Sequence, residues 1–520
     1  MPTPRVHLIV LLLATFLMQV AGLQRTLPLL LDVDEPIFVE AAIRIASSGN
    51  LDPGFYGNPG STLIYPLAAG FRLWHAWTQS GQLLRADALL FEHFLAARWE
   101  YYFAARLLSV AFAVGSVALV TLLGRRAWAS WPVGLAAGWL TAANLTIVYH
   151  TRMVRTDGAG LFFGLLAAWL ALRILERPTL LRYVLAGAAV GLAASSRYFV
   201  GVVGVMMIGA AFLTRRRSPR TWLWLLCGGA AGAAAFFLTN PAMVTNLGEV
   251  IADVRNEARA THLGADGLTP LGNLLWYLGE GIPTTTGWLW AVAAAGIVTT
   301  ALQQRRGHDR RGAWLLLLYL VAFVGLISLL ALHWHRWLIP VLPVIFLFAA
   351  AAMVAAVDAL AGRLQWSDRR TEFLLGGVLV TFLAMPLVRV VHMDIRDAGD
   401  NTRILAREWI VANLPEQSSF LQEAYGALLD GTEYPSQNVS TLPSWMQDEG
   451  LPLANLEPLR NRGYDYVLVS SFMVDRYLAE PERYPDEVAF YNRLEAEGRL
   501  VQEFAPSWRE SGPTLRIYAP

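Results

Sequence analysis

The chain has 520 residues, 55% of them hydrophobic and only 16% charged, against about a quarter charged in an ordinary soluble protein. A net charge of +1 leaves no electrostatic footprint for a nucleic acid, and there is no lysine, so the basic side chains are arginine apart from histidine. One cysteine, Cys227, lies in an apolar run; it excludes a disulfide framework and reads as a small core residue.

Arg5 precedes an apolar stretch from Val6 to about Leu23 with no clean cleavage site behind it, which predicts a retained first span. Crossing the hydrocarbon core takes roughly 20 apolar residues. Further candidates fall near 102–124, 132–149, 158–175, 182–195, 198–213, 221–239, 286–302, 313–332, 337–357 and 371–391. The segment 182–195 is short, and the alternative is one long helix through Arg197. Arginine placement decides. With a cytoplasmic N-terminus and the two segments kept apart, Arg125-Arg126, Arg173 to Arg182, Arg215-Arg216-Arg217 with Arg220, Arg305 to Arg311 and Arg363 to Arg370 all fall on the cytoplasmic side.

About eleven spans then place two features outside: a long first loop of about 25–100 and a region from 393 to 520 of soluble-domain composition. In that region Thr402 to Asn413 has helical periodicity, and short strands are expected at Ser419–Leu421, Tyr466–Ser470, Leu500–Phe504 and Leu515–Tyr518. The expected fold is therefore mainly α: a polytopic membrane helical bundle over 1–392 with a small external α/β domain over 393–520.

The first loop opens with Asp32-Val33-Asp34-Glu35-Pro36, a pattern suited to a helix start. Ile37, Phe38, Ala41, Ala42 and Ile45 share one face, so an amphipathic helix along the membrane surface is expected. Helix capping is the competing reading of Asp34. A second acid, Asp157, stands in matching topology in the short link His150-Thr151-Arg152-Met153-Val154-Arg155-Thr156-Asp157. Cations sit on the same side: Arg152 and Arg155 beside Asp157, Arg197 within the apolar run, and His333-Trp334-His335-Arg336 between two late spans. Snorkelling competes as a reading of Arg197. Two histidines two residues apart do not define a metal site. Carboxylates that can take a proton, with arginines that can grip phosphate, suit transfer of a sugar from a lipid phosphate held at the interface.

These segments together resemble the integral-membrane GT-C glycosyltransferases of the protein O-mannosyltransferase and aminoarabinose-transferase type. Asp34-Glu35 stands where that family has its Asp-Glu pair. Residues 42–53 and Asn58-Pro59-Gly60-Ser61 resemble its first-loop pattern, and Arg155-Thr156-Asp157 its second acidic site. Gly191-Leu192-Ala193 through Arg197 resembles a segment where relatives often carry lysine. His335-Arg336-Trp337-Leu338-Ile339-Pro340 with Pro343 resembles the basic-aromatic-proline start of a late span. Asn401-Thr402-Arg403, Trp409-Ile410 and Asn413-Leu414-Pro415 resemble the start of the external domain.

The resemblance implies that a monosaccharide passes from a polyprenyl-phosphate carrier to a protein, lipid or glycan acceptor outside the cytoplasm, with inversion. Asp34 would be the base, with Glu35 and Asp157 supporting it. Arg152, Arg155, Arg197, His335 and Arg336 would hold the carrier phosphate. A divalent metal stays open, and a bacterial inner (plasma) membrane is the expected location. A transporter or flippase of lipid-linked sugars, an oligosaccharide transferase or ligase, and a glycan-binding relative without catalysis are the other readings. The acids at helix ends on one side, rather than buried at mid-span, disfavour the transporter.

Overall fold

The computed structural model describes residues 4–27, 30–79, 88–214, 219–265, 267–429 and 434–519. The expected Arg215-Arg216-Arg217 cluster lies outside them. The chain divides into two compact units, the first comprising 1–261 and 266–390 and the second 262–265 and 391–520.

In the first unit the long apolar stretches are mostly helical among the described residues. Helix α1 spans Pro4–Ala21. The first loop supplies α2 (Glu35–Ser48), α3 (Ser61–Gln79) and α4 (Ala88–Ala96). Then come α5 (Arg98–Trp128), α6 (Trp131–Ala142), α7 (Leu145–Arg152), α8 (Thr156–Glu176), α9 (Leu180–Ser196), α10 (Gly204–Leu213) and α11 (Arg220–Leu238). Two short helices, α12 (Ala242–Thr245) and α13 (Leu247–Glu257), precede α14 (Pro270–Trp276), α15 (Ile282–Thr286), α16 (Leu289–Arg305), α17 (Arg311–Ser328), α18 (Leu342–Leu364) and α19 (Asp368–Ala398). Among the described residues, seven of these are long and apolar enough to cross a membrane, or up to nine if each of two bent pairs is one span. The bends are 62° between α6 and α7 and 105° between α14–α15 and α16. The protein is thus a multi-pass membrane protein. Helix α9 ends at Ser196, Arg197 is extended, and a 3₁₀ turn over Tyr198–Val203 leads into α10, so the 182–213 stretch is two segments.

Hydrocarbon gives helices no hydrophobic reason to associate, so close contact has to come from small residues. Gly187 and Gly191 of α9 face Gly228 and Gly232 of α11. A Cβ on Gly187 would stand 1.8 Å from the Gly228 carbonyl oxygen, and one on Gly191 2.1 Å from that of Gly232. Gly134 and Gly138 of α6 press on Thr121 of α5 in the same way.

One expectation for the first loop changes. Helix α2 does not lie open along a surface: Phe38, Val39, Ala42, Ile43 and Ile45 are buried against Leu63, Ile64, Leu67 and Phe71 of α3 and Phe94 of α4. Only Ile37 of the expected apolar face is exposed. Three loop helices bury one another's apolar faces, which leaves less for the membrane.

The second unit holds α20 (Thr402–Asn413) and a five-stranded mixed sheet of order β2-β1-β3-β5-β4. Strands β1 (Phe420–Glu423), β2 (Ser436–Val439) and β3 (Tyr466–Ser470) are parallel, while β4 (Arg499–Phe504) and β5 (Leu515–Ala519) complete it antiparallel. The sequence pattern missed β2, because this edge strand reads Ser-Gln-Asn-Val and exposes its two central residues. At the end of β1, Glu423 is buried and accepts hydrogen bonds from the Leu442 N–H (2.9 Å), the Ser470 N–H (3.1 Å) and the Tyr491 hydroxyl. Burial outweighs these bonds and pushes its carboxyl up to about 7.

Two expectations follow from these contacts. Gly187→Val should force α9 from α11 at about 1–3 kcal/mol, while Gly229→Val, which meets open space, should leave the thermal midpoint in detergent unchanged. Equal shifts would contradict the contact. Glu423, raised above its unfolded value of 4.5, contributes stability that is complete below pH 4.5 and lost as the pH rises through 7, by up to about 3 kcal/mol. Protection factors in β1 and β3, corrected for the intrinsic pH dependence of amide exchange, should therefore fall over that range, and Glu423→Gln should flatten the dependence.

Candidate active site

The site is built where the first loop meets the link between α7 and α8. Its anchor is Glu35, whose side chain is 1% exposed and grips Arg106 of α5 through two hydrogen bonds of 2.8 and 2.6 Å. Glu35 also accepts the Val154 N–H (2.9 Å), and Arg106 donates to the carbonyls of Leu23 and Arg25 (2.7 and 2.6 Å). Four chain segments are tied at one point. Glu35 is consumed in this clamp, so the geometry gives it a positioning role.

Helix α2 begins beside it, and its capping is done by Asp32. The Asp32 carboxylate accepts the N–H groups of Asp34 (3.0 Å) and Glu35 (3.1 Å). Asp34 occupies the N-cap position with an αR backbone and makes no side-chain cap bond. The capping reading of Asp34 therefore passes to its neighbour two residues earlier, and the Asp34 carboxylate is left for other work.

That carboxylate meets two arginines. Arg336 donates to it at 2.8 Å and Arg155 stands 3.6 Å away. Arg155 also pairs with Asp32 at 2.5 Å and contacts His150 Nδ1 at 3.1 Å. Beside them Asp157, on the first turn of α8, pairs with Arg197 at the α9 break, and Arg197 lies 4.7 Å above the Phe199 ring. Three carboxylates and three guanidiniums thus balance in charge. Their exposure differs: the Asp34 and Arg336 side chains are 31% and 29% exposed, those of Asp157 and Arg197 only 4% and 6%. Asp34 and Arg336 form the open face of the cluster.

Burial would raise the Asp34 carboxyl, but Arg155 and Arg336 outweigh it and hold the group below its ordinary value. It is ionised at neutral pH, the form a general base needs. His335 packs edge-on against Trp276 with ring centres 4.7 Å apart, and burial pushes its imidazole down despite the opposing charge of Glu280. Its Nε2 has no hydrogen-bond partner among the described residues. Among those residues no group of three His, Cys, Asp or Glu stands ready for a metal ion.

The structure therefore gathers Asp34, Asp157, Arg155, Arg197 and Arg336, with His335 next to Arg336 in a 3₁₀ turn over His335–Leu338. Arg152 is not among the residues that meet Asp34: its guanidinium donates to the Met18 carbonyl of α1 at 2.5 Å. Sequence reasoning missed Asp32 and Arg106. Arg106 carried a usable signal, a single charge inside an otherwise apolar stretch. The Asn58-Pro59-Gly60-Ser61 turn docks on the same end of the bundle, with Ser61 bonded to Asn240 and Thr62 to Ser196 at 2.6 Å.

Residues 91–241 match the family model of the dolichyl-phosphate-mannose-protein mannosyltransferases. No curated protein matches the sequence. Among solved structures, the chain is similar to ArnT from Cupriavidus metallidurans bound to undecaprenyl phosphate. The two are 14% identical with a TM-score of 0.52, and the match covers 98% of this chain and 97% of that one. It is also similar to the archaeal oligosaccharyltransferase AglB from Archaeoglobus fulgidus, in complex with an inhibitory peptide and a dolichol-phosphate. Here the identity is 14% and the TM-score 0.50, with coverage of 95% and 72%. The chain has the GT-C fold of integral-membrane glycosyltransferases.

The clamp and the open pair should separate on substitution. Glu35→Gln leaves a buried guanidinium unpaired and should cost about 3–5 kcal/mol. Asp34→Asn breaks only a half-exposed pair and should cost under about 1 kcal/mol. Detergent-solubilised yield and monodispersity on size-exclusion chromatography would check this; equal losses would contradict the assignment.

Proposed function

We propose that this protein transfers a monosaccharide from a polyprenyl-phosphate carrier to a hydroxyl of a protein, lipid or glycan acceptor, at the extracytoplasmic face of a bacterial inner membrane. The observation that carries the reading is the accessible Asp34–Arg336 pair above a buried, charge-balanced cluster at one end of a membrane bundle. The carriers bound by ArnT and AglB, and the mannosyltransferase family match, support the donor class. In this reading residues 1–392 form the catalytic membrane domain with a cytoplasmic N-terminus, and residues 393–520 form an extracytoplasmic domain.

Asp34 takes the proton of the acceptor hydroxyl as its oxygen attacks the anomeric carbon. The bond from that carbon to the phosphate oxygen breaks, and its electron pair leaves with the carrier. A single displacement of this kind inverts the anomeric centre. Charge accounting explains why base and cation are paired. The donor phosphodiester carries one negative charge, and the departing carrier phosphate gains a second. The proton arriving on Asp34 removes the charge that Arg336 was neutralising, so Arg336 is released to the phosphate as the new charge appears. Arg155 stays with Asp32 and keeps the loop in place. Arg197, held by Asp157, is a further cation for the phosphate, and neutral His335 is a hydrogen-bond donor or acceptor beside it.

Radiolabel transfer from a panel of polyprenyl-phosphate sugars, using membranes with matched amounts of folded protein, tests the reading. Wild type should label an acceptor, Asp34→Asn should lower the rate by about 10²–10⁴-fold, and Arg336→Gln by about 10²–10³-fold. Equal rates from wild type and Asp34→Asn would remove Asp34 from the chemistry.

A further inference from the structure

Helices α5 and α8 both leave the acid cluster and run to the other end of the bundle. Arg106 and Asp157 sit at the cluster, and Arg125 and Arg173 lie roughly 25–30 Å farther along the same helices. That far end carries a cavity of about 680 Å³ lined by Leu122, Arg125, Arg126, Trp131, Trp169 and Glu176. Arg125 lies 4.4 Å from the centre of the Trp131 ring. Arg173 and Arg126 approach Trp169 at 4.9 and 5.4 Å.

Charge at this end is far from balanced. Arg126 pairs with Glu176 at 2.7 Å. Arg173, Arg177 and Arg126 all act electrostatically on Arg182, with Glu176 the one acidic group among them. Neither Arg125 nor Arg173 has an ion pair among the described residues, and Arg173 Nε is buried without a hydrogen-bond partner. A solvated arginine run at a membrane face needs neither a cavity nor indole planes to hold its guanidiniums in place. Stacking on indole fixes a guanidinium plane and leaves its edge N–H groups pointing outward, an arrangement suited to phosphate oxygens. Leu122 and the two half-buried tryptophans supply an apolar wall for the chain that a lipid phosphate brings with it.

We propose that this cavity binds the phosphate headgroup of a membrane lipid in the leaflet opposite the acid cluster. The same chemistry is offered by a glycerophospholipid with a phosphate monoester and by a polyprenyl phosphate. The site is separate from the Asp34 cluster and does not depend on the transfer reaction.

Native mass spectrometry of the full-length protein in detergent tests it, with dioleoyl phosphatidate, undecaprenyl phosphate and dioleoyl phosphatidylcholine as probes. An Arg336→Gln background weakens phosphate binding at the other end, and the effect of each further substitution is read against that background. Arg125→Gln and Arg173→Gln should each weaken the phosphate lipids by about five-fold and leave phosphatidylcholine unchanged. Loss of both phosphate lipids marks a general phosphate site, and loss of undecaprenyl phosphate alone marks a carrier site. Binding unchanged in both variants overturns the proposal. In wild type, a diazirine-bearing phosphatidate should crosslink to peptides containing residues 120–131 or 169–176. Crosslinks confined to other segments would overturn the proposal without any variant having to fold.

Discussion

The buried pair between Glu35 and Arg106 is the contact on which the rest of the site depends. A charge inside a membrane bundle is tolerable only with a partner and saturated hydrogen bonds. Here the four segments meeting at the pair supply both, through the carbonyls of Leu23 and Arg25 and the N–H of Val154. The first loop is thereby fixed to α5 and to the link before α8. Without that fixing, Asp34 and Asp157 would sit on independent segments, with no reason to share one set of arginines.

A division of labour among acids follows. Asp32 caps α2 and holds Arg155, Glu35 clamps the loop, and Asp157 holds Arg197, each in a buried or nearly buried position. Only Asp34 keeps an open carboxylate, and its partner Arg336 is the most exposed of the three cluster arginines. Adjacent carboxylates of the same chemistry thus differ in function through what already occupies their lone pairs.

Much of this was legible in the sequence, and what was not has physical causes. Apolar length located the helices, and the interruption at Arg197 marked the break between α9 and α10. The sequence places Asp34, Glu35, Asp157, Arg152, Arg155, Arg197, His335 and Arg336 on one side; in the structure Asp34, Asp157, Arg155, Arg197 and Arg336 lie together, Glu35 is taken up by Arg106, and Arg152 bonds to Met18 of α1. The roles of Asp32, Asp34 and Glu35 are not legible in the sequence, because three acids at a helix start are told apart by their backbone angles and by arginine partners more than seventy residues away. Helix α2 was misjudged because an amphipathic pattern does not say whether its apolar face meets lipid or protein. Strand β2 was missed because an edge strand with two exposed polar residues lacks the apolar signal that marks its neighbours.

Asp32, by taking over the helix cap, leaves the Asp34 side chain open to change without unmaking the start of α2. An amide in place of the neighbouring carboxylate would leave α2 started, the clamp closed and the arginines in position. If the protein is the proposed transferase, such a chain turns over too slowly to consume its substrates and serves as a capture reagent, from which the sugar and its recipient can be identified.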